Sequence, residues 1–329
     1  WIPYEDLKNI RPVTKGAFGS IYIAEWPKGG LDSFDNERQI FQRDGPDTPT
    51  IRPPGQASLE VILKQIEHSS NPTAEFLKEL KVHVSLRSSG YQVVHCLGVT
   101  KDPIAEDYVL VMWRMREDLR HYIKKNYASI AWKDVYYICF GICSAINEIH
   151  EDNLVHKDLH PGNILRQDHN FWAISDLGLC GPPSKPHGSV YGILPYIAPE
   201  VLFGSEYTSA ADIYSIGMLM YELSTGRLPF SGREHNYELA VDIIDGIRPE
   251  IINSLPESYE KLMKRCWDAN HVNRPSASEL MNYFWETCKS VEELEDFGVE
   301  LVMQDIPSTV NSYSALYNFD LPAPRSATA

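Results

Sequence analysis

The stretch His156-Lys157-Asp158-Leu159-His160-Pro161-Gly162-Asn163 constrains this chain more than any other. It follows a strongly apolar segment with helical spacing, and Asp176-Leu177-Gly178 begins 13 residues after Asn163. One carboxylate, an amide five residues on and a second carboxylate on a glycine turn suit phosphoryl transfer. That reaction needs a base near the attacking hydroxyl and hard oxygen ligands for magnesium. An Asp-x-Gly turn is a poor signal alone, so the question is what the other residues supply.

At 329 residues the chain holds one large domain or two ordinary ones, and 43% hydrophobic residues suffice for a sizeable core. No run of about 18 apolar residues occurs, so no transmembrane helix is expected. The first residue is Trp1 rather than Met, which leaves an upstream segment open; no targeting segment is visible. A net charge of −15 argues against nucleic acid or an acidic membrane as the main partner. A nucleotide remains compatible, because magnesium and one or two lysines offset its phosphates locally. The six cysteines form no CxxC pair. Cys139 and Cys143, four apart in an apolar helical pattern, read as buried free thiols, with a metal or redox role as the alternative. A reducing, cytoplasmic setting fits.

Taken in order, residues 10–24 read as a hairpin around Lys15-Gly16-Ala17-Phe18-Gly19-Ser20. Glycines there let backbone N–H groups approach phosphate oxygens, although a hairpin with two glycines is common. Residues 27–58, rich in Gly and Pro, read as a long exposed insertion between strands. A strand follows at 59–66, then a helix within 72–87 with Phe76, Leu77, Leu80 and Val84 at helical spacing. Strands are expected near 93–100 and 108–112, and a short helix at 119–125. Val135, Ile138, Cys139, Ile142, Ile146 and Ile149 form one face of a long helix ending near His150. The segment from Ser209 to Gly217 is apolar on nearly all sides, so it is buried and Asp212 inside it must be paired. From about 289 the chain turns acidic and then Ser-, Ala- and Pro-rich, and reads as a disordered tail to 329.

Residues 156–163 closely resemble the catalytic loop of protein kinases, and Asp176-Leu177-Gly178 resembles their magnesium-binding turn. Lys64 in Val61-Ile62-Leu63-Lys64, Glu79 and Ala198-Pro199-Glu200 match further motifs of that family in order. The resemblance covers about residues 8–288. Leu159-His160-Pro161-Gly162-Asn163 and Tyr196-Ile197-Ala198-Pro199-Glu200 look like the tyrosine-kinase-like branch, in particular its expanded fungal members. It implies an α+β, bilobal fold: a small antiparallel-sheet N-lobe at 8–112 and a mainly helical C-lobe at 116–288, with ATP between them. It implies ATP and Mg2+ as cofactors, a protein substrate, and an upstream kinase acting on the activation segment.

The same resemblance implies roles. Asp158 would accept or orient the substrate hydroxyl's proton, Asn163 and Asp176 would ligate magnesium, and Lys64, oriented by Glu79, would contact the nucleotide phosphates. Glu75 is the alternative partner and more simply suits a helix N-terminus. The phosphate loop would be Thr14, Gly16, Gly19 and Ile21. Met112 would limit the adenine pocket, while Trp113 and Met115 would offer it backbone N–H and C=O groups. His83 is expected buried and neutral, with a pH switch as the alternative. His156 and Asp212 would be structural, and Arg274 would pair with Glu200. Ser184 or Ser189 would accept an activating phosphate.

Four positions depart from the family pattern: Thr14 replaces a glycine, Lys157 an arginine, His160 a lysine of many Ser/Thr kinases, and Ile193 a threonine. The main expectation is a protein kinase phosphorylating Ser or Thr. The alternatives are a Tyr-specific enzyme, a pseudokinase acting as a nucleotide-binding scaffold, and a small-molecule kinase.

Overall fold

Alternation builds the first part of the chain. In the computed structural model, which describes residues 1–16, 19–27, 31–35, 40–43, 58–66, 69, 74–86, 92–167, 171–185, 190–251, 255–295 and 315–317, two compact units are formed. The first comprises 1–88 and 94–114, the second 89–93 and 115–329.

In the first unit β1 (Lys8–Gly16), β2 (Gly19–Trp26), β5 (Leu59–Gln65), β7 (Tyr108–Trp113) and β6 (Cys96–Lys101) lie in that order in one antiparallel sheet. Leu59, Val61 and Leu63 of β5 and Val109 and Val111 of β7 are two apart, so they share a face. That face closes a core with Ile2, Leu7, Ala24 and Trp26. The period of two leaves Glu60, Ile62 and Lys64 on the other face.

The expected hairpin is present, with Gly16 opposite Gly19 and its tip residues Ala17 and Phe18 outside the described set. Gly19 adopts φ +137, and a Cβ on it would lie 1.9 Å from the Gln65 carbonyl oxygen. Its lack of a side chain is thus fixed by the approach of β2 to β5. The expected insertion is not loop throughout: β3 (Leu31–Asp35) and β4 (Ile40–Arg43) pair antiparallel within it, satisfying one another's backbone groups. Residues 28–30, 36–39 and 44–57 lie outside the described set.

Helix α1 (Ala74–Leu86) corrects the expected apolar face. Leu77 and Val84 are exposed, at 52% and 63%, while Glu79, Val82, His83 and Leu86 are buried. The inward face is defined by where Glu79 finds its partner rather than by hydrophobicity alone.

In the second unit, β8 (Glu117–Asp118), β9 (Ile164–Arg166) and β10 (Trp172–Ile174) form a small antiparallel sheet. Helix α2 (Leu119–Asn126) starts where the Asp118 carboxylate accepts the His121 N–H at 2.9 Å. Helix α3 (Trp132–Glu151) buries Val135, Ile138, Cys139, Ile142, Ile146 and Ile149, as the spacing requires. Cys139 and Cys143 are buried free thiols, and burial pushes both up in pKa.

Short α4 (Pro199–Leu202) precedes α5 (Ser209–Thr225), which is buried along almost its whole length. Gly226, at φ +66, ends α5, and a Cβ there would strike the Tyr127 ring at 2.8 Å. Helices α6 (Tyr237–Ile244), α7 (Glu257–Cys266) and α8 (Ala277–Glu295) complete the unit. Tyr259 of α7 meets Trp132 of α3 edge-on at 5.1 Å, and Tyr136 stacks toward Phe284 of α8 at 6.4 Å.

The tail expected from 289 carries two ordered elements. Helix α8 runs on to Glu295, since Leu280, Phe284 and Cys288 at four-residue steps anchor it. Strand β12 (Ala315–Tyr317) pairs antiparallel with β11 (Val190–Gly192). No helix among the described residues is long and apolar enough to cross a membrane.

Candidate active site

Within the first unit, Lys64 leaves the sheet on the face opposite the core and its Nζ lies 2.6 Å from Glu79 Oε1. Their side chains are only 11% and 7% exposed, so each charge depends on the other for solvation. Fifteen residues of separation are bridged because α1 turns Glu79 inward. The side chain of Glu75, the alternative partner, is outside the described set. His83 is buried, with Nε2 4.0 Å from Glu79 Oε1. Thr14 pairs with Ile21 and Gly16 with Gly19, so these four residues flank one hairpin end. Met112 is buried opposite Ile62. The Trp113 N–H donates to the His95 carbonyl at 2.9 Å, in the segment just before β6. Only its carbonyl remains as a candidate adenine contact.

Within the second unit, a web of hydrogen bonds fixes residues 156–163. Asp212, on buried α5, accepts the N–H groups of His156 (2.8 Å) and Lys157 (3.0 Å) and contacts His150 Nε2 at 2.9 Å. Burial raises the Asp212 carboxyl; the hydrogen bond and charge of His150, with His156, outweigh it and hold the carboxyl below its ordinary value. Lys157 is thereby held at φ 74, a conformation a side-chain-bearing residue rarely adopts. His156 Nε2 lies 3.1 Å from the Ser175 carbonyl, tying the loop to the Asp176 turn as expected.

Asp158 is buried to 6% exposure. Asn163 Nδ2 donates to the Asp158 carbonyl at 2.8 Å, which leaves Oδ1 as the amide atom suited to a cation. The Trp172–Ile174 strand pairs with Ile164–Arg166, so Ser175 falls opposite Asn163 and donates to its carbonyl at 2.8 Å. Asp176, at φ 57, comes next. Asn163 and Asp176 thus stand at the ends of two paired strands, and an amide oxygen with a carboxylate is a donor set of the kind magnesium takes, which keeps several waters and one or two protein ligands alongside phosphate. Among the described residues no three His, Cys, Asp or Glu side chains gather as a closed metal cage.

His160 Nδ1 accepts the Gly162 N–H at 3.1 Å, so its proton sits on Nε2, 3.7 Å from Asp158 Oδ2. Lys157 Nζ donates to the Pro182 carbonyl at 2.7 Å and to Ser184 Oγ at 2.9 Å. Ser189 is outside the described set. Arg274 grips Glu200 with two bonds of 2.7 and 2.8 Å and also donates to the Ala210 carbonyl.

One group was missed in the sequence. Glu222, 3% exposed on α5, accepts a short hydrogen bond from the Tyr196 hydroxyl and lies 3.8 Å from Arg120 Nε. Burial pushes its carboxyl up, against Arg120, the Tyr196 bond and His160. The rule that flagged Asp212, a carboxylate inside a helix buried all round, applies equally to Glu222.

The sheet-bearing unit thus carries the buried Lys64–Glu79 pair, and the helical unit carries Asp158, Asn163 and Asp176. The family model for protein tyrosine and serine/threonine kinases matches residues 7–284, and the chain belongs to that family, with its bilobal fold. A putative serine/threonine-protein kinase/receptor of Acanthamoeba polyphaga mimivirus is 31% identical over 85% of this chain and 16% of its own length. The stress-activated protein kinase alpha of Dictyostelium discoideum is 29% identical over 69% of this chain and 37% of its own. A tyrosine-protein kinase of Drosophila melanogaster is 23% identical over 89% and 48%. The chain thus spans less than half the length of these relatives.

Proposed function

We propose that this chain is an active protein kinase that transfers the γ-phosphoryl group of ATP to Ser or Thr hydroxyls of a protein. The observation that carries the reading is the Asn163 amide. It braces the Asp158 backbone with its nitrogen and leaves its oxygen for a cation beside Asp176. Asp158 takes the position of the residue that orients the acceptor hydroxyl and receives its proton. The new bond joins that hydroxyl oxygen to the γ-phosphorus as the bond to ADP breaks. Asn163 Oδ1 and Asp176 would hold Mg2+, which when bound offsets phosphate charge. Lys64, held straight by Glu79, supplies a further positive charge to the phosphates. Catalysis is then positioning plus charge stabilisation.

The departures at Lys157 and His160 do not favour a pseudokinase, because the Lys157 ammonium bonds to Pro182 and Ser184 and the His160 ring bonds within the loop. The Ser/Thr preference draws on the name of the relative at 31% identity, against 23% for a tyrosine kinase. Acid hydrolysis of a product labelled from radioactive ATP tests it. Phosphoserine or phosphothreonine is expected, and phosphotyrosine alone would overturn the specificity.

A further inference from the structure

Strand β12 is a separate segment from the end of the chain, yet it pairs with the strand lying against Asp158. Val190, Tyr191 and Gly192 stand opposite Tyr317, Leu316 and Ala315. Gly192 passes beside the candidate base: a Cβ added to it, at φ +140, would sit 3.4 Å from Asp158 Oδ1. Tyr207 braces the same strand, its hydroxyl reaching the Tyr191 carbonyl at 3.3 Å, and it feels the Asp158 charge. An extended peptide paired on the edge of Val190–Gly192 is therefore carried past the Asp158 carboxylate. Edge strands take such peptides through backbone bonds, whatever the side chains.

We infer that Val190–Gly192 is a peptide-docking edge and that Ala315–Tyr317 occupies it in cis, competing with protein substrates. The inference rests on the kinase reading for the nature of the competitor, and on the strand pairing for the occupancy. Ala315 and Leu316 carry no hydroxyl, so neither can receive a phosphate. The phenol of Tyr317 meets the Leu194 backbone and is half-buried. The segment fills the edge without offering either of those two side chains as an acceptor. Being three residues long, it has few ladder bonds to break, which suits release.

The test uses the full-length chain. Successive N–H groups of a strand point to opposite sides, so replacing Leu316 and Tyr317 together by proline removes a ladder donor in either pairing phase. A tethered competitor acts at an effective concentration of about a millimolar, so its release should lower the apparent KM for a protein acceptor by about tenfold, with kcat and the KM for ATP little changed. A fluorescent peptide of residues 311–321 should bind the double-proline chain and bind the parent chain at least about tenfold more weakly. It should also inhibit the variant competitively against the protein acceptor. Equal KM values in the two chains, or equal peptide binding by both, would overturn the inference. Selective peptide binding with no phosphoryl transfer by either chain would uphold the docking edge and count against the kinase reading alone.

Discussion

Lys157 Nζ donates to Ser184 Oγ at 2.9 Å, joining the 156–163 loop to the segment that follows the Asp176 turn. A phosphate on Ser184 would replace this neutral acceptor with a dianion facing the same ammonium. Phosphorylation at Ser184 should therefore stabilise the chain by about 1–2 kcal/mol. Thermal melting of the phosphorylated and dephosphorylated forms measures it, and Lys157→Met should erase the difference. No difference in the parent chain would remove Ser184 as an activating site.

Lys64 and Glu79 separate stability from turnover. Lys64→Met leaves a buried carboxylate without its ammonium, which should cost about 3 kcal/mol and lower kcat/KM by at least about a hundredfold. Adding Glu79→Leu should recover most of the stability and none of the activity. Urea unfolding and steady-state rates on the single and double variants read the two effects independently.

Asp212 makes stability depend on acid. Its folded carboxyl lies below the ordinary value, so its contribution is complete above the unfolded pKa of about 3.9 and is lost as pH falls through the lower folded value. Asp212→Ala should orphan the His156 and Lys157 N–H groups, at a cost of about 3 kcal/mol near neutrality. Its stability should also fall less steeply than the parent's below pH 4, on the order of one fewer linked proton. Parallel unfolding curves for both chains across that range would refute the assignment.

Gly19→Ala should cost at least about 2 kcal/mol, because a Cβ meets the Gln65 carbonyl at 1.9 Å in a backbone conformation that already disfavours a side chain. Gly204→Ala, with nothing within 4 Å of the added carbon, is the control and should cost about 1 kcal/mol. Similar losses at both positions would leave only backbone conformation as the cause.

Much of the candidate site was legible because its chemistry is local in sequence. Asp158 and Asn163 sit in one loop, and the Asp176 turn follows one short strand pair. The Lys64–Glu79 pair was legible only through family resemblance, since two residues fifteen apart meet by way of a helix whose inward face is partly polar. The pattern of Leu77 and Val84 pointed the wrong way there, because burial of Glu79 and His83 depends on partners that hydrophobic periodicity does not register. The pairing of Ala315–Tyr317 with Val190–Gly192 was not legible at all: three residues in a Ser- and Pro-rich context carry no periodic signal. The bond from the Trp113 N–H to the His95 carbonyl was not legible either, since it joins two separate segments that no local pattern relates.

The central claim is that Asp158 serves phosphoryl transfer. The direct measurement is transfer from labelled ATP with Mg2+ to a generic protein acceptor, comparing the parent chain with Asp158→Asn. The account predicts measurable transfer by the parent and a fall of at least about a hundredfold in the variant, with its nucleotide binding intact. Equal rates in the two chains would contradict it.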